Sequence, residues 1–311
     1  TNMNLLLTGA NGFVGKNLID LFLKGSDYNL VCTTRNKSGN LYHQRIKWIV
    51  LKDFSNKIQW KDYLLGVDCI IHLAGLAHSS NSDKDKDLIN INYFATKHLA
   101  SCANELGIKK FIFLSTAKVN GECSKRNKPF QREDSANPKN LYSESKYRTE
   151  LMLNNICKNS SLSLIIIRSP LIYGPGVKAN FKLIYNLAKF GIPVPFGLFN
   201  NKRSFLSIDN LFDLFNNIIK YRGELNELFY ASDDDDISTN DLIKKISKIS
   251  GKKFMIFKFP KKFILIISKI FLLNNQINKM YSTLQVDISY TKKRISWNPK
   301  FTMDYTLKRM Q

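Results

Sequence analysis

Short apolar runs alternate with amphipathic stretches through the first half of the chain, from NLLLT at residues 4–8 to SLIIIR at residues 163–168. The apolar runs predict strands from Asn4 to Thr8, Leu30 to Thr34, Lys47 to Leu51, Cys69 to Leu73, Lys110 to Ser115 and Ser163 to Arg168. The stretches from Gly12 to Lys24, Asn90 to Leu106 and Tyr142 to Cys157 predict helices. Strands separated by helices of this length form a parallel sheet with crossover connections. Beyond Arg168 the alternation fades: SPLIYGPG, GIPVPFG and ASDDDDIST are rich in turn formers, and helices resume near Asn240. No internal repeat or low-complexity linker divides the chain. The pattern predicts an α/β fold with a doubly wound parallel sheet over residues 1–168, to which part of 205–230 returns. A smaller α/β C-terminal lobe is expected mainly over residues 169–311, with a ligand in the cleft at the carboxyl ends of the strands.

At 311 residues the chain can bury a large core without staples. Its five cysteines are an odd number with no CxxC and no Cys/His cluster at metal spacing, which predicts free thiols, a reducing compartment and no metal site. The N-terminal stretch lacks the pattern of a signal peptide, and LLLTGANGFVG is broken by glycines too early to span a membrane, so a cytoplasmic location is expected. Thr1 and Asn2 read as additions ahead of a start at Met3. The net charge of +22 is scattered rather than gathered into a run with stacking aromatics, which argues against a nucleic-acid partner and would still draw in a diphosphate. In KFPKKFILIISKIFLLNNQ, residues 258–276, Lys269 interrupts an apolar run too short to span a bilayer. A buried or dimer-facing helix starting near Pro260 is expected there, with membrane-surface contact as the alternative.

In TGANGFVG a glycine triplet, Gly9, Gly12 and Gly15, follows a strand and opens a helix. Gly9 suits a tight turn, Gly12 an approach of backbone to a pyrophosphate at the helix N-terminus, and Gly15 close helix packing. After the second strand, where a carboxylate would bind ribose hydroxyls, stand Thr34, Arg35 and Asn36; Arg35 suits the 2′-phosphate of NADP(H). Asp53 and Phe54 follow the third strand, where they could close over an adenine, and Leu73, Ala74 and Gly75 in HLAG would let a cofactor come close. In YSESK, Tyr142 and Lys146 share one helix face, as either a surface contact or a tuned proton donor.

Taken in order, TGANGFVG, HLAG, LSTAKVNGE, YSESK, GVKANF, PVPFG, RSFLSIDN and DISYTKKRISWNP resemble an extended short-chain dehydrogenase/reductase of the nucleotide-sugar type, the NAD-dependent epimerase/dehydratase family. The likeness spans essentially the whole chain and is greatest to UDP-N-acetylquinovosamine-type 4-ketoreductases, with UDP-glucose 4-epimerases as near relatives. It implies a Rossmann-type fold, a homodimer paired through two helices per subunit, and a UDP-sugar substrate. It implies that Tyr142 protonates the C4 oxygen of a keto sugar, with its phenolate favoured by the Lys146 ammonium and a cationic nicotinamide. Lys146 would also bond the nicotinamide ribose, and Thr116 would orient the substrate oxygen. Asn11, Phe13 and Val14 join the glycines at the cofactor, Asn92 braces the strands near the site, and Pro170 lies against the nicotinamide. Ala95 stands where the family commonly has glycine. Phe196 would pack on uracil, Arg203 bind the diphosphate, and Asn180 add a bond to diphosphate or sugar. His78 reads as a loop histidine with no role.

Dehydratases of this fold carry Asp and Glu directly after the threonine; here Ala117 and Lys118 stand there, which argues against dehydration. Epimerases often have VYG where this chain has Val119, Asn120 and Gly121. The expected activity is NAD(P)H-dependent reduction of the C4 ketone of a UDP-4-keto-6-deoxy-N-acetylhexosamine for O-antigen or lipopolysaccharide synthesis, with NADP(H) preferred and NAD(H) as the alternative. The alternative activity is that of a UDP-glucose or UDP-N-acetylglucosamine 4-epimerase holding NAD tightly.

Overall fold

The computed structural model describes residues 2–35, 41–52, 54–76, 88–191, 201–252 and 281–311. Seven strands form one sheet: β1 (Asn4–Thr8), β2 (Asn29–Thr34), β3 (Ile46–Val50), β4 (Cys69–His72), β5 (Lys110–Thr116), β6 (Ser163–Ser169) and β9 (Glu227–Tyr230). All neighbours run parallel, in the order β3-β2-β1-β4-β5-β6-β9. The order reverses between β1 and β4, so the connections leaving these two strands go to opposite sides and open a crevice at their carboxyl ends. Each predicted strand is present within one residue at either end.

Alternation along a strand divides the core between the two faces of the sheet. Leu5 and Leu7 of β1 join a cluster with Leu18 and Phe22 of α1 (Phe13–Gly25) and Leu211, Leu214, Phe215 and Ile218 of α6 (Ile208–Lys220). Leu6 points the other way, into a cluster with Trp60 of α2 (Trp60–Leu64), Leu99 of α3 (Thr96–Glu105) and Leu153 of α4 (Leu141–Cys157). Because both faces are covered, SLIIIRS of β6 is buried at every position, the arginine included.

The predicted helix from Asn90 is two pieces, a π-helical turn over Asn90–Ala95 that runs into α3. α4 starts at a capping box in which Asn140 Oδ1 accepts from Ser143 N at 2.9 Å and Ser143 Oγ reaches back to the Asn140 amide at 3.4 Å. The buried face of α4 carries Lys146 and Glu150 among its apolar residues, so it is not an ordinary amphipathic helix.

Elements after β6 form a third apolar cluster. A two-stranded parallel pair, β7 (Leu171–Tyr173) and β8 (Phe205–Ser207), packs with α5 (Ala179–Lys189), α7 (Thr239–Ile249) and α9 (Met303–Arg309). α8 (Ser289–Ile295) lies between them in sequence. Polar ties to the main sheet run through α6. Asn210 Oδ1 accepts from the amides of Lys300 and Phe301, each at 2.9 Å, and Asp209 accepts from Thr306 at 2.7 Å and from Arg309. Among the described residues, no helix is long and apolar enough to cross a membrane.

Asp213 accepts from the indole of Trp297 at 2.8 Å and from Lys300 Nζ at 2.7 Å, and Trp297 is fully buried. Asp213→Ala leaves that N–H buried without its acceptor and is expected to cost about 1–3 kcal/mol. Urea denaturation checks this as a lower midpoint at unchanged slope; an unchanged midpoint would show that the tie contributes nothing.

Candidate active site

The turn between β1 and α1 is built so that nothing larger than glycine fits. Gly9 has φ +69°, and a Cβ there would stand 2.8 Å from Ala74 N. A Cβ at Gly15 would lie 2.5 Å from Gly9 O, so the helix starts directly on the turn. Gly12 caps α1 without a side chain, which leaves the first amides of the helix for an anion. Leu73 N and Ala74 N both donate to Thr8 Oγ1 at 3.2 Å, drawing the tip of β4 against the glycine turn. Phe13 packs against the third apolar cluster and Val14 against the first. This cradle and open helix end fit a dinucleotide.

At the end of β2, Asn11 Nδ2 donates to Thr34 Oγ1 at 2.5 Å and Arg35 is exposed. Asp53 and Asn36 lie outside the described residues, as do His78, Phe196 and the 258–276 segment. The Phe54 ring stacks on His72 at 5.6 Å and meets Trp60 edge-on at 5.7 Å, so part of it belongs to the core rather than to an adenine.

Lys146 is the centre of the site. Its ammonium donates to Leu114 O of β5 at 3.1 Å and sits 4.6 Å from the centre of the Phe113 ring. A Cβ on Gly75 would come within 3.3 Å of Nζ and 2.9 Å of Asn92 Oδ1, so this glycine leaves room for both side chains. Asn92 accepts from Leu76 N at 2.9 Å and donates to Leu76 O at 3.1 Å and Ser145 Oγ at 3.0 Å. It therefore ties the segment after β4 to α4. The π-helical turn carries it, and such turns commonly mark functional positions.

Burial lowers the Lys146 pKa to about 8, with the Glu150 carboxylate opposing the fall. His72, between Thr8 Oγ1 at 2.7 Å and Thr96 Oγ1 at 2.8 Å, is driven to about 3, first by burial and then by the Lys146 charge, and is neutral. Part of Tyr142 reaches solvent, yet the protein packed around the phenol pushes it up to about 12. A phenol drawn down by Lys146 was the expectation. The cause is desolvation of the phenol by burial, and the Lys146 ammonium is itself buried and donates to Leu114 O.

Thr116 ends β5. Its Oγ1 accepts from Lys118 N at 3.3 Å and keeps its own proton for a further acceptor. Lys118 pairs with Glu122 at 2.9 Å, and Glu122 also accepts from the Asn140 cap of α4. Pro170 follows β6 directly and is buried. Arg203 donates to Ser282 O at 2.9 Å and Ser282 Oγ at 2.6 Å; burial lowers it to about 10, with Glu122 acting the other way. Asn180 is half-buried in the first turn of α5. Lys146, Gly75 and Asn92 thus stand together beside the tip of β4, which the glycine turn meets from the other side, while Thr116 ends β5 and Tyr142 lies in the first turn of α4. Among the described residues no three His, Cys, Asp or Glu side chains stand close enough to hold a metal ion.

Sequence reasoning missed Glu150 and its partners. Ser115 Oγ donates to Glu150 at 2.5 Å, and Arg168 reaches both carboxylate oxygens at 2.5–3.2 Å. The signals were a glutamate one turn beyond Lys146 and a lone arginine in an apolar strand.

A doubly wound parallel sheet with a glycine turn and a buried lysine at its switch point defines a Rossmann-type dinucleotide-binding protein. The chain belongs to the NAD dependent epimerase/dehydratase family, which matches residues 5–227, and is an enzyme of that nucleotide-sugar family. It is 34% identical over 307 residues to a UDP-glucose 4-epimerase of Vibrio cholerae, covering 96% of this chain and 92% of the relative. Its fold matches the Bacillus cereus UDP-glucuronic acid 4-epimerase in complex with NAD, with TM-score 0.78 and 22% identity over 99% of this chain and 97% of the other. The Thermotoga maritima UDP-glucose 4-epimerase with UDP-glucose matches equally, with TM-score 0.78 and 22% identity over 99% and 97%.

The Lys146 pKa sets a stability test. Below about 8 the folded and unfolded chains both hold the proton, and the burial penalty is fully present. Between about 8 and the ordinary value of 10.5 the unfolded chain binds more protons, so stability rises with pH. Lys146→Met lacks this contribution, and denaturation midpoints should show its advantage over wild type shrinking from about pH 7 to about pH 10. Parallel pH dependences would contradict the assignment.

Proposed function

We propose that the protein is a cytoplasmic reductase that converts the C4 ketone of a UDP-4-keto-6-deoxy-N-acetylhexosamine to a hydroxyl for surface-polysaccharide synthesis. NADP(H) is the preferred cofactor and NAD(H) the alternative. The observation that carries this reading is the end of β2, where Asn11 engages Thr34 and exposed Arg35 stands in place of a carboxylate. Such a site suits a phosphorylated cofactor used up at each turnover. Two further features agree with it. Ala117 and Lys118 follow Thr116, and Lys118 is paired with Glu122, so no acid for eliminating water adjoins the threonine. A phenol held near 12 is protonated at neutral pH and ready to donate, as reduction requires.

A bound nicotinamide dinucleotide supplies the hydride. The Gly9–Gly15 turn and the first amides of α1 hold its diphosphate, and Asn92 fixes the wall beneath Gly75. Thr116 holds the C4 oxygen by its hydroxyl. Tyr142 gives that oxygen its proton as the carbonyl carbon is reduced, and Lys146 stabilises the phenolate left behind. Mainly the 169–311 lobe holds the UDP-sugar, with Arg203 and Asn180 toward the diphosphate, Phe196 toward uracil and Pro170 toward the nicotinamide. A second reading, a UDP-hexose 4-epimerase with retained NAD, draws support from the Vibrio cholerae relative.

Loss of reduced-nicotinamide absorbance with NADPH or NADH and UDP-4-keto-6-deoxy-GlcNAc made in place by a dehydratase tests the first reading. The expected result is substrate-dependent oxidation of NADPH faster than NADH, falling about 10²-fold or more in Tyr142→Phe. No oxidation, with NAD released on denaturation and UDP-GlcNAc interconverted with UDP-GalNAc, would establish the epimerase instead.

The expected homodimer draws support from a groove between the π-helical turn and α4 lined by Tyr93, Phe94, Leu151, Met152 and Ile156. Phe94 and Leu151 are 47% and 52% exposed there, an unusual cost for large apolar side chains beside each other. Sedimentation velocity should give a dimer for wild type and a monomer for Leu151→Glu; a monomeric wild type would refute the pairing.

A further inference from the structure

We propose that Glu150 is a positioning residue for the reaction: from one turn beyond Lys146 on the buried face of α4, its carboxylate holds the Ser115–Thr116 end of β5 against the helix that carries Lys146 and Tyr142. The inference rests on the roles given above to Tyr142, Lys146 and Thr116. Glu150 lies one helical turn beyond Lys146 on the buried face of α4 and is 2% exposed. It takes a hydrogen bond from Ser115 Oγ at 2.5 Å, next to Thr116, and bonds from Arg168 Nε at 3.1 and 3.2 Å and Nη2 at 2.5 Å. Arg168 Nη1 in turn donates to Asn120 Oδ1 at 2.8 Å, and Asn120 Nδ2 donates to Asp134 O at 3.0 Å and Ser135 O at 3.3 Å. Tyr230 Oη, at the end of β9, donates to the same Asn120 oxygen.

Stability alone does not account for a carboxylate here. A buried ion pair is replaced by well-packed apolar residues at little or no cost. What an apolar pair cannot supply is negative charge beside Lys146. Among the described residues, the groups that act on that ammonium are Glu150 one turn on along its own helix, neutral His72 on β4, and the Phe113 ring and Leu114 carbonyl on β5. Among the described residues Glu150 is the one carboxylate that acts on it, against a burial that favours loss of its proton.

Two variants test this, Glu150→Gln and the double variant Glu150→Gln/Arg168→Met, which removes the charge without stranding the arginine. The first readout is NMR titration of 13Cε-labelled lysine, with the Lys146 resonance assigned by its absence in Lys146→Met. The second is the alkaline limb of the pH–rate profile in the C4 reductase assay. In Glu150→Gln the Lys146 titration is expected to move down by about one unit or more, in the double variant to move down by less because the arginine's charge leaves with the glutamate's, and in each the alkaline limb to follow it. An unmoved titration in Glu150→Gln, a wild-type profile in the double variant, or failure of both variants to fold would make Glu150 a structural residue and overturn the proposal. A shifted titration without turnover in wild type would support the Glu150–Lys146 coupling and refute the assigned reaction alone.

Discussion

A lysine ammonium held almost out of water at the carboxyl end of a parallel sheet is the constraint that organises this molecule. A charge in that position is costly unless neighbouring groups replace its hydration. Leu114 supplies a carbonyl, Phe113 the face of a ring, and Glu150 a carboxylate. Each compensation creates a further demand. Gly75 has to forgo a side chain, and Glu150 requires Arg168, which requires Asn120, which engages Tyr230 on the outermost strand. The polar chain crosses from α4 through β5 and β6 to β9, so the last strand of the sheet is tied to the chemistry by side chains as well as by its ladder.

The same sheet explains why that charge faces a nucleotide. Reversal of strand order between β1 and β4 leaves the crevice, and the glycine turn lies on one side of it with the Lys146 helix on the other. Thr8 joins the tips of β1 and β4: its hydroxyl is shared by His72 and by the amides of Leu73 and Ala74. The neutral histidine stacked between Phe54 and Phe113 is thereby a spacer that holds strand tips in register without adding charge next to Lys146.

Much of this was legible in the sequence. Continuous apolar runs between amphipathic stretches located the six leading strands within a residue, because a sheet covered on both faces leaves little choice of residue type. TGANGFVG and YSESK were readable because their spacings serve local geometry. What escaped depended on contacts between distant residues. The π-helical turn at Asn90 resembles an α-helix in pattern and differs only in where Asn92 is aimed. Glu150 and Arg168 lie 18 residues apart and meet across α4 and β6. Burial of the Tyr142 phenol, which pushes its pKa up, was likewise not legible, since spacing shows a neighbour's charge but not how deeply a group is packed. The contacts of the Phe54 ring with His72 and Trp60 were also beyond what spacing shows.

The position of β9 has a consequence for the order in which the chain acquires its structure during synthesis. Six strands of the sheet are complete by Ser169, but their outer edge stays open until residues 227–230 emerge, some sixty positions later. Even then Tyr230 O awaits Thr291, which bonds it at 2.7 Å, and the start of α6 awaits Lys300, Phe301 and Arg309. A nascent chain therefore carries an unpaired β6 edge while some sixty further residues are added. A polypeptide ending a dozen residues early would retain every reacting group yet lack the clasp that closes its oldest part.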